Sequence, residues 1–422
     1  GAGMDLAGFQ QVFPDWFCSF CLEHRWVEVE DSVVRPQIVI VPKKDCLFLS
    51  DAFHLVAADA GSDFTLPAST NAADMLSQFM FDTPVDRALD LCTGCGVHGL
   101  LATGFANHVL ASDISANAVN FAATNALLNG RDNIEFVESD FFANIEHKDF
   151  DLIVTNPPFV IGPKQDFVYR DNPMDLDNLC GVLAQEACNF LKDGGYLQML
   201  CEWVEIEGQR WEERLRGWLD PLPCDAWILR SQPRSPQDYV RSRLTDLSGP
   251  KTNLHTQLEE WEKYFTHHKV SAIHPGMIIL RKRQGNNWFH VHNLVDPPTG
   301  PVTGLIKDYM KACDTAAELS NDTQLLGAKL SLAEELELEQ KFVRNDHQWQ
   351  PRAALLTMQN ALPVQGEMDL PVLALLNLFD GKKSTQNVIG EFAKASGAHL
   401  DELTPKLMPV LKVLIQRGFL KA

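Results

Sequence analysis

From Arg87 onward, short apolar runs alternate with helix-length amphipathic stretches. The runs at 88–91, 109–112, 134–137, 152–155 and 196–200 are rich in Leu, Ile and Val, the look of strands covered on both faces. Two more follow at 226–229 and 277–280. Between them lie helical segments such as 115–129, where Ser115 stands in position to cap the first turn. Strand and helix repeated in this order predict an α/β fold built on a parallel sheet with right-handed crossovers.

The flanks follow other rhythms. Residues 4–83 begin with an aromatic-rich helical stretch and continue with the extended runs 37–41 and 46–49, broken by Pro42, which predicts a small N-terminal accessory domain. A polar segment at about 231–269, carrying one helix at 254–267, reads as an insertion between the last two strands. The Pro/Gly-rich stretch 296–301 predicts a linker. Past it, 336–342 alternates like a strand, and three helical patterns follow at 373–379, 388–392 and 403–414. Gly418 then ends the last helix and a strand begins. Helices closed by a strand resemble a winged-helix module, so the expected division is 4–83, 84–295 and 302–422.

Composition narrows the class. At 422 residues the chain exceeds what a single core organises. Its 45% hydrophobic and 22% charged residues are those of a soluble globular protein, expected to be cytoplasmic. No apolar run approaches the roughly 20 residues that cross a bilayer, so no membrane partner is expected. The net charge of -20 disfavours non-specific binding to a phosphate backbone. One local basic group, Arg230, Arg234, Arg241 and Arg243 with Tyr239 among them, leaves a nucleic acid open as partner, although a solvated loop face is the plainer reading. The ten cysteines form no regular framework. Cys18, Cys21 and His24 would open a zinc site, yet no second pair completes it, and the Trp and Phe around them favour an apolar helix. No metal is expected.

The chemistry concentrates after the first strand, in Asp90-Leu-Cys-Thr93-Gly94-Cys95-Gly96-Val-His-Gly99. Glycines there let the backbone turn tightly and approach a ligand closely as a helix begins. By itself the G-x-G-x-x-G spacing equally suits an oxidoreductase using NAD. The second strand ends in Asp113-Ile114, a carboxylate placed to accept hydrogen bonds from two ribose hydroxyls, and the third leads to Asp140-Phe141, an acceptor for an adenine amino group. Singly, each acid would also serve as a helix N-cap; together they mark the carboxyl ends of successive strands, where such sheets bind ligands.

The fourth strand runs directly into Asn156-Pro157-Pro158-Phe159. From about Ala88 to Leu200 the chain resembles the class I methyltransferases that carry an N-P-P-[FY] tetrapeptide, a group that includes adenine and guanine amino-methyltransferases and glutamine-amide methyltransferases acting on translation proteins. The resemblance implies a Rossmann-like, seven-stranded sheet and S-adenosyl-L-methionine as cofactor, leaving as S-adenosyl-L-homocysteine. It implies that Asp90, Thr93, Gly94, Cys95, Gly96, Asp113, Ile114, Asp140, Phe141 and Asn156 hold that cofactor. Ser69 or Thr70, in the stretch 66–70 upstream of the sheet, would touch its carboxylate end.

For catalysis the resemblance implies Asn156 and the Pro157 carbonyl as acceptors for the two N–H bonds of a planar amine, and Phe159 as a stacking surface. The prolines stiffen the corner so that these acceptors stand ready. Tyr169 and Arg170, in the polar loop 167–171, are expected to grip the substrate, a macromolecule left open between protein and RNA or DNA, with acidity mildly favouring a protein or an already assembled ribonucleoprotein. Cys92 departs from the family pattern, which has a glycine there, and would be strained if the turn needs a positive φ. Two other readings stand beside this one: a non-catalytic module that binds the cofactor and recruits partners, and an NAD-dependent oxidoreductase, which leaves the tetrapeptide unexplained.

Overall fold

In the computed structural model, residues 3–52, 55, 63–163, 169–245, 254–294, 302–334, 336–345, 347–358 and 365–422 are described. The chain forms two compact units, 1–297 and 298–422. The linker expected at 296–301 lies outside the described residues.

The first unit is organised by an eight-stranded sheet. Its spatial order runs Phe289–Asn293, Cys224–Arg230, Val270–Lys282, Leu191–Ile206, Phe150–Thr155, Val85–Leu91, Ala106–Asp113 and Ile134–Glu138. Among these strands Val270–Lys282 alone runs against its neighbours, pairing Met277 with Leu200 on one side and with Leu229 on the other. All seven expected strands are present. The eighth, Phe289–Asn293, adds itself parallel to Cys224–Arg230 at the edge.

Both faces of the sheet are covered, and the apolar runs follow from that: Leu89, Ile153, Val154, Met199, Ile228 and Ile278 are fully buried. Strand order reverses at the first strand, which pairs with Ala106–Asp113 on one side and Phe150–Thr155 on the other. A crevice opens at such a switch point, outside the carboxyl ends of the strands. The glycine turn follows Leu91 at that point, and Asn156 follows Thr155 beside it.

The helix Ala116–Leu128 starts on Ser115, whose side chain accepts from the Ala118 N–H. Gly96, with φ +85, lies so close to this helix that a Cβ would sit 3.0 Å from that of Ala122, so the turn and the helix meet only because no side chain intervenes. Before the sheet, the hairpin Ile38–Lys43 and Cys46–Asp51 docks on the same helix. The Leu49 N–H donates to the Asn125 side chain at 2.7 Å, and the Asn125 amide returns bonds to the carbonyls of Leu49 and Cys95, both at 2.9 Å. Further upstream, Cys18 and Cys21 are buried in the helix Asp15–Glu23 against Phe9 and Val34.

The segment expected to carry one helix carries two. Pro236–Thr245 precedes Leu254–His267, while 246–253 lies outside the described residues. The added helix forms because Ser235 accepts from the Asp238 N–H and because Tyr239, Val240 and Leu244 bury one face. The arginine group is divided, with Arg234 and Arg241 exposed. Tyr239 is fully buried, and Arg243 is ion-paired to the buried Glu202. Arg230 stacks on Trp211 at 4.8 Å and donates to Asn293.

In the second unit, Thr303–Glu318 and Asp322–Gly327 precede an antiparallel meander of Leu336–Asn345, Gln348–Met358 and Gln365–Met368. The three expected helices are Leu370–Leu376, Thr385–Ser396 and Leu400–Gln416, and Leu420–Lys421 pairs with Ser331–Leu332. Leu375, Val388, Leu411, Ile415 and Phe419 form the centre of their core. The helix Thr303–Glu318 is not foreshadowed by the sequence reading; Ile306, Tyr309, Met310 and Cys313 bury one stripe of it.

Candidate active site

A cavity of about 1100 Å³ opens at the switch point. Among its lining residues are Thr93, Gly94, Cys95, Asp113, Ile114, Asp140 and Phe141 from the sheet loops, and Asn156 and Pro158 from the tetrapeptide. Thr70 and Tyr169 line it as well. The two motifs that sequence reasoning joined thus face one space.

The glycine turn is held from below. Asp90, fully buried, accepts from the Thr93 hydroxyl at 2.5 Å and from the Gly99 N–H at 2.7 Å. It does not line the cavity; its carboxylate is a strut under the turn, and its Oδ1 has no hydrogen-bond partner among the described residues. Burial pushes the Asp90 carboxyl up to about 7, against the two hydrogen bonds that favour its charge. Gly96 likewise lies beneath, against the helix. Gly94, with φ +55, has nothing within 4 Å of where a Cβ would stand and leaves its face to a ligand.

Cys92 adopts φ +60, so the turn does demand the left-handed region there, at a cost of roughly 1–2 kcal/mol for a non-glycine residue. A branched side chain would tolerate it less: Cys92→Val is expected to lower stability by about 1–3 kcal/mol. An unchanged urea midpoint in that variant would count against strain at this position. Phe141, beside Asp140, has φ +46.

Asp113 ends its strand with both oxygens oriented by backbone. One accepts from the Gly94 N–H at 2.9 Å, the other from the Ser115 N–H at 3.0 Å. Burial raises its carboxyl above the usual range, with these N–H bonds opposing. Each oxygen keeps a second acceptor site, which suits two vicinal hydroxyls. Asp140 stands exposed at the next loop, following Ser139, whose hydroxyl donates to the Phe141 carbonyl. A bidentate carboxylate, an open glycine turn and a third-strand acid fit an adenosine carrying a cationic arm.

The tetrapeptide divides its members. Asn156 and Pro158 reach the cavity, Pro157 is buried, and Phe159 packs between two apolar clusters without lining the cavity. Downstream, the chain returns beside Val160, whose N–H donates to the Arg170 carbonyl at 3.0 Å while the Asn172 N–H donates to the Val160 carbonyl at 2.9 Å. Tyr169 meets Phe64 at 5.5 Å between ring centroids, forming one wall. Arg170 is not among the residues lining the cavity and pairs at 2.6 Å with the buried Asp171, which is. Phe167 and Val168 lie outside the described residues.

Three groups to which the sequence assigned no part in the site, Tyr239, Lys43 and His98, belong to this architecture. The Tyr239 hydroxyl accepts from the Ile161 N–H at 3.0 Å and donates to Glu202 at 2.5 Å, bracing the backbone just past the tetrapeptide. Lys43 donates to the Ala68 carbonyl at 3.0 Å and pairs with Asp74, pinning the stretch that holds Thr70. Thr70 spends its side chain on the Ala73 N–H, capping Asn71–Phe79. His98 lines the cavity with its Nε2 3.2 Å from the Ala73 carbonyl, and burial pulls it down to about 4, so it is neutral at pH 7. An unusual His after a glycine turn was the available signal. Among the described residues no group of three or more His, Cys, Asp or Glu is placed to hold a metal, and no helix is long and apolar enough to cross a membrane.

Comparison with known proteins places family boundaries on this geometry. Residues 64–204 match the methyltransferase small domain, and 307–422 match a domain of unknown function (DUF7782). A ribosomal protein uL3 glutamine methyltransferase of Xanthomonas campestris is 40% identical over 136 residues, 29% of this chain and 43% of that protein. A release factor glutamine methyltransferase of Leptospira interrogans is 35% identical over 144 residues, 30% of this chain and 49% of that protein. The chain thus spans about half the length, or less, of these relatives. Among solved structures, an rRNA methylase from Streptococcus thermophilus is 14% identical with a TM-score of 0.29, covering 50% of this chain and 95% of its own. Residues 64–204, which bring the glycine turn and the Asn-Pro-Pro-Phe corner to one cavity, are thus the part of the chain that matches the methyltransferase small domain.

Proposed function

We propose that this protein transfers a methyl group from S-adenosylmethionine to a nitrogen in a planar amide or amino group, and that the acceptor is a protein glutamine of the translation apparatus. The observation that carries the reading is the single cavity shared by Gly94, Asp113 and Asp140 on one side and Asn156 on the other. The names of the relatives support a glutamine side chain over a nucleobase, and they suit a cytoplasmic protein.

An amide nitrogen is a poor nucleophile because its lone pair is delocalised into the carbonyl. When bound, S-adenosylmethionine supplies a methyl group activated by the adjacent sulfonium for in-line displacement. Gly94, Asp113, Asp140 and the Phe141 backbone hold the adenosine. The Asn156 side-chain oxygen and the Pro157 carbonyl accept the two N–H bonds of the acceptor, which turns its lone pair toward the methyl side and stabilises the positive charge that develops on nitrogen. The buried Pro157 fixes this corner, and Tyr239, through the Ile161 N–H, fixes the chain beyond it.

Calorimetry with S-adenosylhomocysteine and with NAD, each alone, tests the cofactor: the first is expected to bind and the second not. Radiolabelled methyl transfer into a lysate, followed by protease or nuclease on separate aliquots, tests the acceptor: the label is expected to be lost to protease. Binding without transfer would favour the recruitment module, and label lost to nuclease would exclude the protein acceptor. Asp113→Ala is expected to weaken S-adenosylhomocysteine binding by about 1–3 kcal/mol, the cost of leaving buried hydroxyls unpaired. An unchanged titration would show that the ribose lies elsewhere.

A further inference from the structure

The second unit carries an exposed feature that the cavity does not use. The strands Leu336–Asn345 and Gln348–Met358 form a hairpin whose base joins the unit's core through Ala354 and Leu356, while its outer half stands in solvent. Two large aromatics lie there, Phe342 at 50% exposure and Trp349 at 68%. Register places Phe342 opposite Pro351 and Arg344 opposite Trp349, so these four share one face. A bulge after Lys341 leaves Arg352 as the extra residue on the partner strand. Lys341, Arg344 and Arg352 are all exposed, and none is ion-paired with an acid among the described residues. Gln340, Asn345, Gln348 and Gln350 complete the tip.

Charge separates this surface from the rest of the chain. Residues 298–422 hold thirteen of the 36 Lys and Arg and fifteen of the 56 acids, so nearly all of the net -20 belongs to the first unit. From 340 to 352 there are three cations and one acid, Asp346. Exposed Trp and Phe beside Arg cost solubility and contribute nothing to the unit's core. Their chemistry is that of base stacking with phosphate pairing.

We propose that the 340–352 hairpin binds single-stranded RNA, with unpaired bases stacking on Trp349 and Phe342, phosphates meeting Lys341, Arg344 and Arg352, and the Gln and Asn amides meeting 2′-hydroxyls. The site is independent of the reading given to the methyltransferase cavity. An unpaired strand is required because bases within a duplex offer no face to an aromatic ring.

The test is fluorescence anisotropy of the full chain with a labelled oligouridylate of about 12 nucleotides, within the site sizes such surfaces cover. Binding is expected with a dissociation constant on the order of 10⁻⁵ M at low salt, and log K should fall with log salt at a slope of about -2 for three phosphates. Trp349→Ala is expected to weaken binding roughly tenfold, Trp349→Phe to restore most of it, and Arg344→Gln to flatten the slope by about 0.7. Because these side chains are exposed, thermal midpoints should stay unchanged, which separates lost binding from lost folding. Absence of binding would overturn the proposal, as would equal binding of duplex RNA or of the matching oligodeoxynucleotide. Equal binding of an oligoglutamate peptide, unaffected by Trp349→Ala, would overturn it in favour of an acidic protein partner.

Discussion

Asn156→Ala is expected to lower methyl transfer by about 10²–10³-fold while leaving S-adenosylhomocysteine affinity within a few-fold. The magnitude is that of removing one preorganised electrostatic partner from a site where charge develops. The selectivity follows from position. Gly94, Asp113 and Asp140, the groups proposed to hold the adenosine, stand at the ends of the first three strands, whereas Asn156 follows the fourth, so truncating it leaves the Asp113 hydrogen bonds to Gly94 and Ser115 in place. Asn156→Asp keeps the oxygen but adds charge and a different donor pattern, and is expected to recover little. Single-turnover transfer with radiolabelled cofactor, alongside calorimetry on the same preparation, reads both quantities. Loss of transfer accompanied by equal loss of product affinity would mean that Asn156 holds the cofactor and that the nitrogen acceptors lie elsewhere.

Much of this geometry is written locally in the chain, and the reason is burial on two faces. Leu152–Thr155 needs no alternation to be read as a strand, because helices cover both sides of it, and Asn156-Pro157-Pro158-Phe159 announces the corner directly after it. Gly94, Asp113 and Asp140 are legible for the same reason: each sits at the end of a run that can only be a strand. The edge strand Phe289–Asn293 is not, since every residue in it is at least partly exposed and two of the five are His. Tyr239 is illegible in another way. Its neighbours are Arg, Gln and Asp, so it reads as solvated, and only contacts with Ile161 and Glu202, 78 and 37 residues distant, draw it inside. Phe159 is the converse: the resemblance suggests a stacking surface, while the helices Pro236–Thr245 and Leu254–His267 supply apolar partners that hold it among Val160, Tyr239 and Trp261. Side-chain direction at such a residue depends on an insertion the tetrapeptide itself does not encode.

Asp90→Asn is expected to remove a component of the pH dependence of folding worth on the order of 4 kcal/mol, from about 3 pKa units at 1.36 kcal/mol each. The Asp90 carboxyl is raised from 3.8 to about 7 because its burial penalises the charged form more than Thr93 and Gly99 favour it, with Asp113 adding repulsion. Between those two values the native chain keeps a proton that the unfolded chain has released. The unfolded state binds fewer protons, so the slope of unfolding free energy with pH is negative. The stabilisation is therefore fully present below pH 3.8, is lost as pH rises toward 7, and changes no further above it. Asn is neutral in both states and lacks this slope. His98, lowered to about 4, contributes with the opposite sign in both proteins and cancels in their difference. Urea midpoints of the wild type and Asp90→Asn, compared at about pH 4.5 and about pH 8, give that difference directly. At the acidic end the wild type is expected to hold its advantage, since a protonated Asp90 still accepts from the Gly99 N–H; at the alkaline end the gap is expected to narrow or reverse. A gap of the same size at both values would mean that Asp90 is ionised throughout, and the turn would then rest on a buried charge.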